Sequence, residues 1–322
     1  MVTYNHRPFI AQAIEGVLQQ KTNFPFELVI GEDCSTDGTR EIVDEYQKKY
    51  PNIIRVVTSE KNVGMKKNGL RTVQACRGKY LAFCDGDDYW QSPLKLQKQA
   101  DYLESHPECG LVYSSYDVYH VSSGERIKDY INYRGWKIPE DPGIADIVEG
   151  MGKPLTCTVM VRWDLCEEIV EADPYLHKSD HFLMGDTQLW VEIAAKARLH
   201  YIPESLATHT ITEESATRSK DIKRELRFSI SNAELMLYLC KKYNLPTRIR
   251  DRFETYFETC SLQLAFHTQN RKLADEVRNQ KGTFTLKEWI RYYGARNILV
   301  HDIYRASVSF LGLFRKKHSQ WT

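Results

Sequence analysis

Within the first hundred residues short β-type runs alternate with amphipathic helical stretches, and this alternation limits the possible folds more than any other feature of the chain. Phe9, Ile10, Ala13, Ile14, Val17 and Leu18 mark one helical face, with Pro8 suited to the first turn. A run carrying Phe26, Leu28, Val29 and Ile30 follows, then a helical stretch with Ile42, Val43, Tyr46 and Tyr50 on one side. Residues 53–58 are β-branched, residues 69–76 read as helix, and Lys79-Tyr80-Leu81-Ala82-Phe83-Cys84 is again apolar and strand-like. Alternation at this spacing argues for a parallel, doubly wound sheet. A buried first strand needs about five or six residues, and Val2-Thr3-Tyr4-Asn5 reads only as the end of one. The natural product is therefore expected to begin upstream of Met1.

The strand at residues 79–84 runs into three carboxylates in four residues, Asp85, Asp87 and Asp88 around Gly86. Like charges this close repel by about 3 kcal/mol per pair at an effective dielectric of about 20. Such a cluster is kept together most easily where a cation sits, and the carboxyl end of a buried strand is where open α/β sheets place ligands. A divalent metal is the natural candidate. Asp and Gly are also common turn residues, so these four residues alone fit a solvated acidic turn equally well.

With 322 residues the chain has length for two domains or one large one. A formal charge of +1 gives no global reason to expect nucleic acid as a partner. The eight cysteines form no CxxC pair and no zinc-type spacing, which suits a reducing compartment. No run of eighteen apolar residues and no basic-then-apolar leader is present, so a cytoplasmic location is the default reading.

Beyond residue 90 the pattern loosens. Ser92-Pro93 starts a helix through Leu103, residues 110–120 are strand-like, and residues 121–154 read as a mobile loop rich in Gly, Pro and charge. Residues 155–161 read as strand, 186–197 as helix and 200–210 as a broken strand. From about Ser219 the chain reads as successive helices, with a boundary near residues 213–220.

Val2-Thr3-Tyr4-Asn5, Glu32-Asp33-Cys34-Ser35-Thr36-Asp37-Gly38-Thr39, Asn62-Val63-Gly64, Arg77-Gly78-Lys79-Tyr80 and Asp85-Gly86-Asp87-Asp88-Tyr89-Trp90 together resemble family 2 glycosyltransferases, and the ordered series is far more specific than any one element. Gly185-Asp186-Thr187-Gln188-Leu189-Trp190 extends the likeness, and the residues around 86–90 and 94–99 resemble the branch common in bacterial surface-polysaccharide synthesis. The resemblance implies a GT-A fold, an α/β doubly wound mixed sheet, over residues 1–215, with a helical appendage over residues 216–322. It also implies an inverting enzyme that moves a sugar from a UDP-sugar, or a dTDP-sugar, to a glycan or lipid-linked acceptor.

Carried over residue by residue, the resemblance implies that Mg²⁺ or Mn²⁺ is held by Asp87 and Asp85 with Asp88 adjacent. A nucleotide diphosphate leaves with growing negative charge, which such an ion neutralises. By the same resemblance Thr3 and Tyr4 lie beside the base and Asp33 accepts a hydrogen bond from a ring nitrogen, while Asn62 reads equally as a nucleotide contact and as a simple turn residue. Asp186 is the implied general base, although Asp is equally an ordinary helix cap. His209 sits where relatives place a basic group near the diphosphate, and it also reads as a plain strand histidine. Arg71 reads better as an ion-pair residue than as a phosphate ligand. The segment 296–318 mixes apolar residues with Arg315, Lys316 and Lys317, which suits either packing or peripheral contact with an anionic membrane.

Two rivals belong to other classes. A catalytically silent nucleotide-sugar binding module is favoured by the short first strand, which would anchor Thr3 and Tyr4 poorly. A sugar-phosphate nucleotidyltransferase would resemble its relatives in a Gly-x-Gly-Thr-Arg loop, where this chain has Tyr4-Asn5-His6-Arg7.

Overall fold

The first strand is two residues long and is paired along both edges. In the computed structural model, which describes residues 1–212, 221–304 and 306, β1 (Val2–Thr3) runs parallel to β2 (Leu28–Glu32), with Val2 opposite Gly31 and Thr3 opposite Glu32. On its other side Val2 bridges Asp85 in parallel, and the Gly86 N–H donates to the Val2 carbonyl at 2.9 Å. β3 (Ile54–Val57) pairs with β2 and completes a parallel set of three. α1 (Ile10–Leu18), α2 (Thr39–Lys49) and α3 (Met65–Gln74) alternate with these strands.

β2 is buried at every position because helices cover it, and its sequence is accordingly a continuous apolar run rather than an alternating one. α3 crosses it so closely that Gly31 is the only side chain size that fits. A Cβ at Gly31 would stand 1.8 Å from Thr72 Oγ1 and 2.8 Å from Asn68 Oδ1. Asn68 uses the approach, donating its Nδ2 to the Gly31 carbonyl at 2.8 Å.

The second sheet has the order β4-β8-β6-β9-β5, with β7 paired to the last residues of β6. Its strands are β4 (Tyr80–Ala82), β5 (Tyr89–Trp90), β6 (Cys109–His120), β7 (Glu125–Ile127), β8 (Met160–Arg162) and β9 (Arg198–Ile211). β6 and β9 are parallel and the other pairs antiparallel, so the whole assembly is mixed, as the GT-A expectation requires. The helices of this half are α4 (Lys95–Ser105), α5 (Tyr130–Tyr133), α6 (Ile144–Glu149), α7 (Trp163–Ala172), α8 (Pro174–Lys178) and α9 (Thr187–Lys196). One core joins the two sheets and includes Ile10, Ile14, Ile30, Trp90, Leu103, Val112 and Met160.

Three local expectations fail for identifiable reasons. Residues 155–161 do not form one strand. Thr156–Thr158 make a 3-10 turn, because the indole of Trp90 takes the Cys157 carbonyl at 2.9 Å and Gln99 Nε2 takes that of Thr158 at 2.7 Å. Those carbonyls are then lost to any ladder. Residues 121–154 are no bare loop, since β7, α5 and α6 lie within them. Residues 163–178, for which no element is expected, fold as α7 and α8, with Cys166, Ile169 and Leu176 buried and Asp173 capping the Leu176 N–H at 3.0 Å.

The chain divides into two compact units, Met1–Glu213 and Glu214–Thr322. The expected boundary, near residues 213–220, lies outside the described residues. In the second unit α10 (Ile222–Lys242), α11 (Thr247–Thr268), α12 (Arg271–Gln280) and α13 (Leu286–Arg296) form an all-helical group. Leu262, Ala265, Ala274, Val277 and Ala295 are buried together there, and Thr285 with Glu288 forms a capping box at the start of α13. Of the basic and apolar tail expected over 296–318, Ile298, Leu299 and Ile303 are exposed, while residue 305 and residues 307–322 lie outside the described residues. Among the described residues no helix is long and apolar enough to cross a membrane.

The close crossing at Gly31 gives a first prediction. Gly31→Ala overpacks the contact of α3 with β2 and costs about 2 kcal/mol, seen in thermal unfolding as a fall of roughly 4–8 °C in the transition of the first unit. An unchanged transition would show that α3 can move away at no cost.

Candidate active site

The two edges of β1 carry the two halves of the site. On one edge the Asp33 N–H donates to the Thr3 carbonyl at 3.1 Å, and on the other the chain enters the acidic tetrad through Asp85 and Gly86. Thr3 is buried, whereas Tyr4 is 43% exposed and stands at the mouth.

The loop after β2 is held by carboxylates. Glu32, fully buried, accepts the N–H of Ser35 at 2.7 Å and that of Cys34 at 3.2 Å, which bends the chain back on itself with Cys34 at φ 60°. Ser35, Thr36, Asp37 and Thr39 then fasten the loop after β1: Ser35 Oγ accepts the Asn5 N–H, Thr39 Oγ1 accepts the His6 N–H, and Asp37 accepts the Arg7 N–H. Against the upward pull of burial, the Thr39 hydroxyl and the N–H groups of Arg7 and Thr39 hold Asp37 below the usual carboxylate range.

Asp33 is buried and organises the next loop. Its two oxygens accept the N–H groups of Val63 and Gly64, both at 2.9 Å, and Arg71 lies 3.5 Å from Oδ1. Arg71 also donates to Asn68 Oδ1 and to the Glu32 carbonyl, so it is an internal ion-pair residue rather than a surface one. Asn62 is exposed and accepts the Gly64 N–H at 3.0 Å, shaping the turn in which Gly64 takes φ 88°.

In the tetrad the three carboxylates have different surroundings. Asp88 is buried, and its Oδ1 accepts the Thr210 N–H at 2.8 Å and lies 3.0 Å from His209 Nδ1. Asp87 faces His6, whose Nε2 is 3.9 Å away. Among the described residues the Asp85 and Asp87 carboxylates accept no hydrogen bond from another side chain. Burial first, then the charges of Asp88 and Asp87, push Asp85 up to about 8, and Asp186 adds to the rise. Asp87 is also raised, by burial, although His6 pulls it down. Burial alone would lower His209, but its hydrogen bond to Asp88 and the charges of Asp88, Asp87 and Asp85 outweigh that, so the imidazolium form is favoured.

Gly86 is packed closely in this cluster. A Cβ there would come within 2.6 Å of Thr3 Oγ1 and 2.9 Å of His6 Nδ1, and both of those atoms are buried without a hydrogen-bond partner. Among the described residues no three His, Cys, Asp or Glu side chains converge to form a metal cage. Two open carboxylates beside unpartnered polar atoms fit instead a magnesium-type ion, which is bound by one or two carboxylates plus phosphate oxygens and water.

Asp186 caps α9. Its Oδ1 accepts the Thr187 N–H at 2.6 Å and the Thr187 hydroxyl at 3.1 Å, and its Oδ2 accepts the Thr156 hydroxyl at 3.1 Å. The cap occupies Oδ1, while Oδ2 takes the Thr156 hydroxyl, and the charge of the Asp186 carboxylate is felt at Asp85. The segment leading to Asp186 is held from α3, where Lys66 Nζ donates to the carbonyls of Ser179 and Phe182. Trp90 and Trp190 are core residues, 3% and 1% exposed.

The structure thus gathers Asp85, Asp87, Asp88 and His209 in one group, with Asp186 in electrostatic reach, and sets Thr3, Tyr4, Asp33 and Asn62 along the loops beside it. Sequence reasoning missed His6, Lys66 and Thr156. His6 had a signal in its place directly after the Thr3-Tyr4-Asn5 turn; Lys66 and Thr156 had none, because their partners lie about 113 and 30 residues away.

Residues 1–148 match the model of Glycosyl transferase family 2. The chain is 29% identical over 252 residues to the putative glycosyltransferase EpsE of Bacillus subtilis (strain 168), covering 76% of this chain and 82% of that protein. It is 34% identical over 116 residues to the putative teichuronic acid biosynthesis glycosyltransferase TuaG of the same organism, covering 36% of this chain and 44% of that protein. It spans 31% of the length of the first curated relatives it matches. Among solved structures, S. aureus TarS residues 1–349 in complex with UDP-GlcNAc aligns with a TM-score of 0.55 at 18% identity, covering 91% of this chain and 77% of that one, a likeness of fold.

The position of Asp85 sets a pH dependence. A carboxyl that ionises near pH 4 in the unfolded chain and near 8 in the fold keeps its proton in the folded state across that window, so stability falls as pH rises through it. A bound cation removes the penalty. Without metal, the melting temperature is expected to decline between pH 5 and pH 8, and to decline less in Asp85→Asn. Manganese with UDP should raise it more at pH 8 than at pH 5; equal increments at both pH values would contradict the assignment.

Proposed function

The chain belongs to glycosyl transferase family 2 through residues 1–148, and on that premise we propose that it is an inverting glycosyltransferase acting on a UDP-sugar to extend a bacterial surface glycan or glycolipid. The observation that carries the reading is the pairing of β1 on both edges, which holds the Asp33 loop and the acidic tetrad a strand's width apart. Such a spacing suits a nucleoside on one side and its diphosphate on the other.

Thr3 and Tyr4 would flank the base. Each Asp33 oxygen accepts one backbone N–H and keeps a second lone pair for a ring nitrogen of uracil. The complex of the similarly folded TarS with UDP-GlcNAc supports that choice of nucleotide, and the teichuronic acid role in the name of TuaG supports a polysaccharide acceptor. Asp87 and Asp85 would hold Mg²⁺ or Mn²⁺, with Asp88 orienting His209 behind them, and when bound the ion supplies positive charge to the departing diphosphate. His209, favoured in its cationic form, would add a second positive charge on the same side.

Inversion requires an acceptor hydroxyl to attack from the face opposite the leaving group, and a base to take its proton. Asp186 is suited to this work. Its Oδ1 is fixed by the first turn of α9 while Oδ2 accepts, among the described residues, the Thr156 hydroxyl. Lys66 positions it by fixing the preceding segment, which limits the loop motion that would misplace the carboxylate.

The silent-module reading rested on a poorly anchored first strand. Thr3 is instead buried and hydrogen-bonded on β1, and the open carboxylates Asp85 and Asp87 have no structural task that would explain them. Removal of the base separates the two readings. Asp186→Asn should keep the thermal stabilisation by UDP with manganese and lose about 10²–10⁴ in donor turnover, measured as UDP release. Turnover like that of the unaltered protein would remove Asp186 from the mechanism, and no stabilisation by any nucleoside diphosphate would remove the enzyme reading itself.

A further inference from the structure

A narrow cavity of about 30 Å³ lies between β6 and the segment 131–155, lined by Tyr113, Tyr116, Trp136, Gly152, Lys153 and Leu155 among others. It has room for a hydroxyl-sized group and no more. Tyr113 is 3% exposed, and its hydroxyl is buried without a hydrogen-bond partner. An orphaned buried hydroxyl costs about 1–3 kcal/mol unless something answers it. Lys153 has no ion pair or hydrogen bond among the described residues.

The rim is aromatic. Tyr130 lies at 5.7 Å from Tyr116, 6.2 Å from Tyr133 and, edge to face, 5.8 Å from Trp136. Trp136 is 46% and Tyr133 66% exposed, an open aromatic surface that the fold itself does not require. The Arg134 guanidinium sits 5.2 Å from the Trp136 ring and 5.7 Å from that of Tyr130. Cations and aromatic faces are thus presented together.

Two links tie this cavity to the site already described. Leu155 in its wall is followed by Thr156, whose hydroxyl donates to the candidate base Asp186. Tyr116, on another wall, lies near Cys157, and Cys157 in turn stands beside Asp88. The wall of the cavity is therefore continuous, through Thr156, with the residue that holds the carboxylate proposed to receive the acceptor's proton.

We propose that the cavity and its rim form the acceptor subsite: a pyranose ring lies on Trp136, one of its hydroxyl groups enters the cavity to meet the Tyr113 hydroxyl, and Lys153 with Arg134 selects a sugar that carries an anionic group. A planar apolar face with a few placed polar groups is the usual make-up of a small-ligand site. The inference rests on the glycosyltransferase reading, and it adds the class of acceptor, an anionic sugar whose charge is a carboxylate or a phosphate.

The test uses the full chain labelled with 5-fluorotryptophan and saturated with UDP and manganese, so that the donor side is filled. The Trp136 resonance is identified by its loss in Trp136→Phe. Methyl glucoside, methyl glucuronide and glucose 6-phosphate are titrated separately to about 50 mM. All three should shift that resonance, and one of the two anionic sugars should bind about tenfold more tightly than the neutral one, the gain of a single charge-assisted contact. The tighter of the two identifies carboxylate or phosphate as the source of the charge. Lys153→Met should abolish the difference, and Tyr113→Phe should weaken all three while leaving the UDP-manganese melting shift in place. No movement of the Trp136 resonance with any sugar, or movement indifferent to both substitutions, overturns the subsite. Loss of the UDP-manganese melting shift in the unaltered protein would instead count against the donor reading, so the two failures are distinguishable.

Discussion

Main-chain hydrogen bonding along both edges of a two-residue strand is the constraint on which the rest of the site depends. Val2 and Thr3 pair with Gly31 and Glu32 on one side and with the entry to the tetrad on the other. Because these bonds join peptide groups, the separation between the Asp33 loop and Asp85 is set by strand spacing, whatever side chains surround it. Three carboxylates then complete the work: Glu32 accepts N–H groups within its own loop, and Asp33 and Asp37 accept those of neighbouring loops, turning flexible connections into one rigid wall.

Electrostatics divides this wall into structural and reactive parts. Glu32, Asp33 and Asp37 spend part of their accepting capacity on backbone N–H groups and so hold the loops in place. Asp85 and Asp87 accept no hydrogen bond from another side chain among the described residues, and burial raises both, with the charge of the neighbouring Asp88 adding to it. The tetrad is therefore a place where folding has left an unfavourable charge arrangement in place, and sites of this kind are usually kept for a ligand that relieves it.

The donor half was legible in the sequence because its determinants are local. The alternation of Leu28–Glu32 and Ile54–Val57 with Ile10–Leu18 and Thr39–Lys49 follows directly from apolar periodicity, and the tetrad is contiguous. The Asp186 helix could be read for the same reason, as a turn glycine followed by an apolar face. What escaped reading depends on distant partners. The 3-10 turn at Thr156–Thr158 exists because Trp90 and Gln99 reach its carbonyls from 60 or so residues away, and no local pattern encodes that. Residues 121–154 looked like a loop because Gly, Pro and charge dominate them, yet Ile131, Ile147 and Val148 are buried and hold two short helices in place. Trp163–Ala172 carried a helical face that the eye passes over between a strand and a run of acids.

The anchoring of β1 by peptide groups has a consequence for how such a scaffold diversifies. The wall proposed to hold the nucleotide is tied by amides and carbonyls, which every substitution short of proline leaves in place, whereas the proposed acceptor surface at Tyr130–Tyr133, Trp136 and Lys153 is made of side chains on short helices and turns. One half is a fixed chassis and the other an exchangeable tool. A lineage of such enzymes can trade recipients by drift in a few dozen residues while its grip on the donor stays mechanically the same.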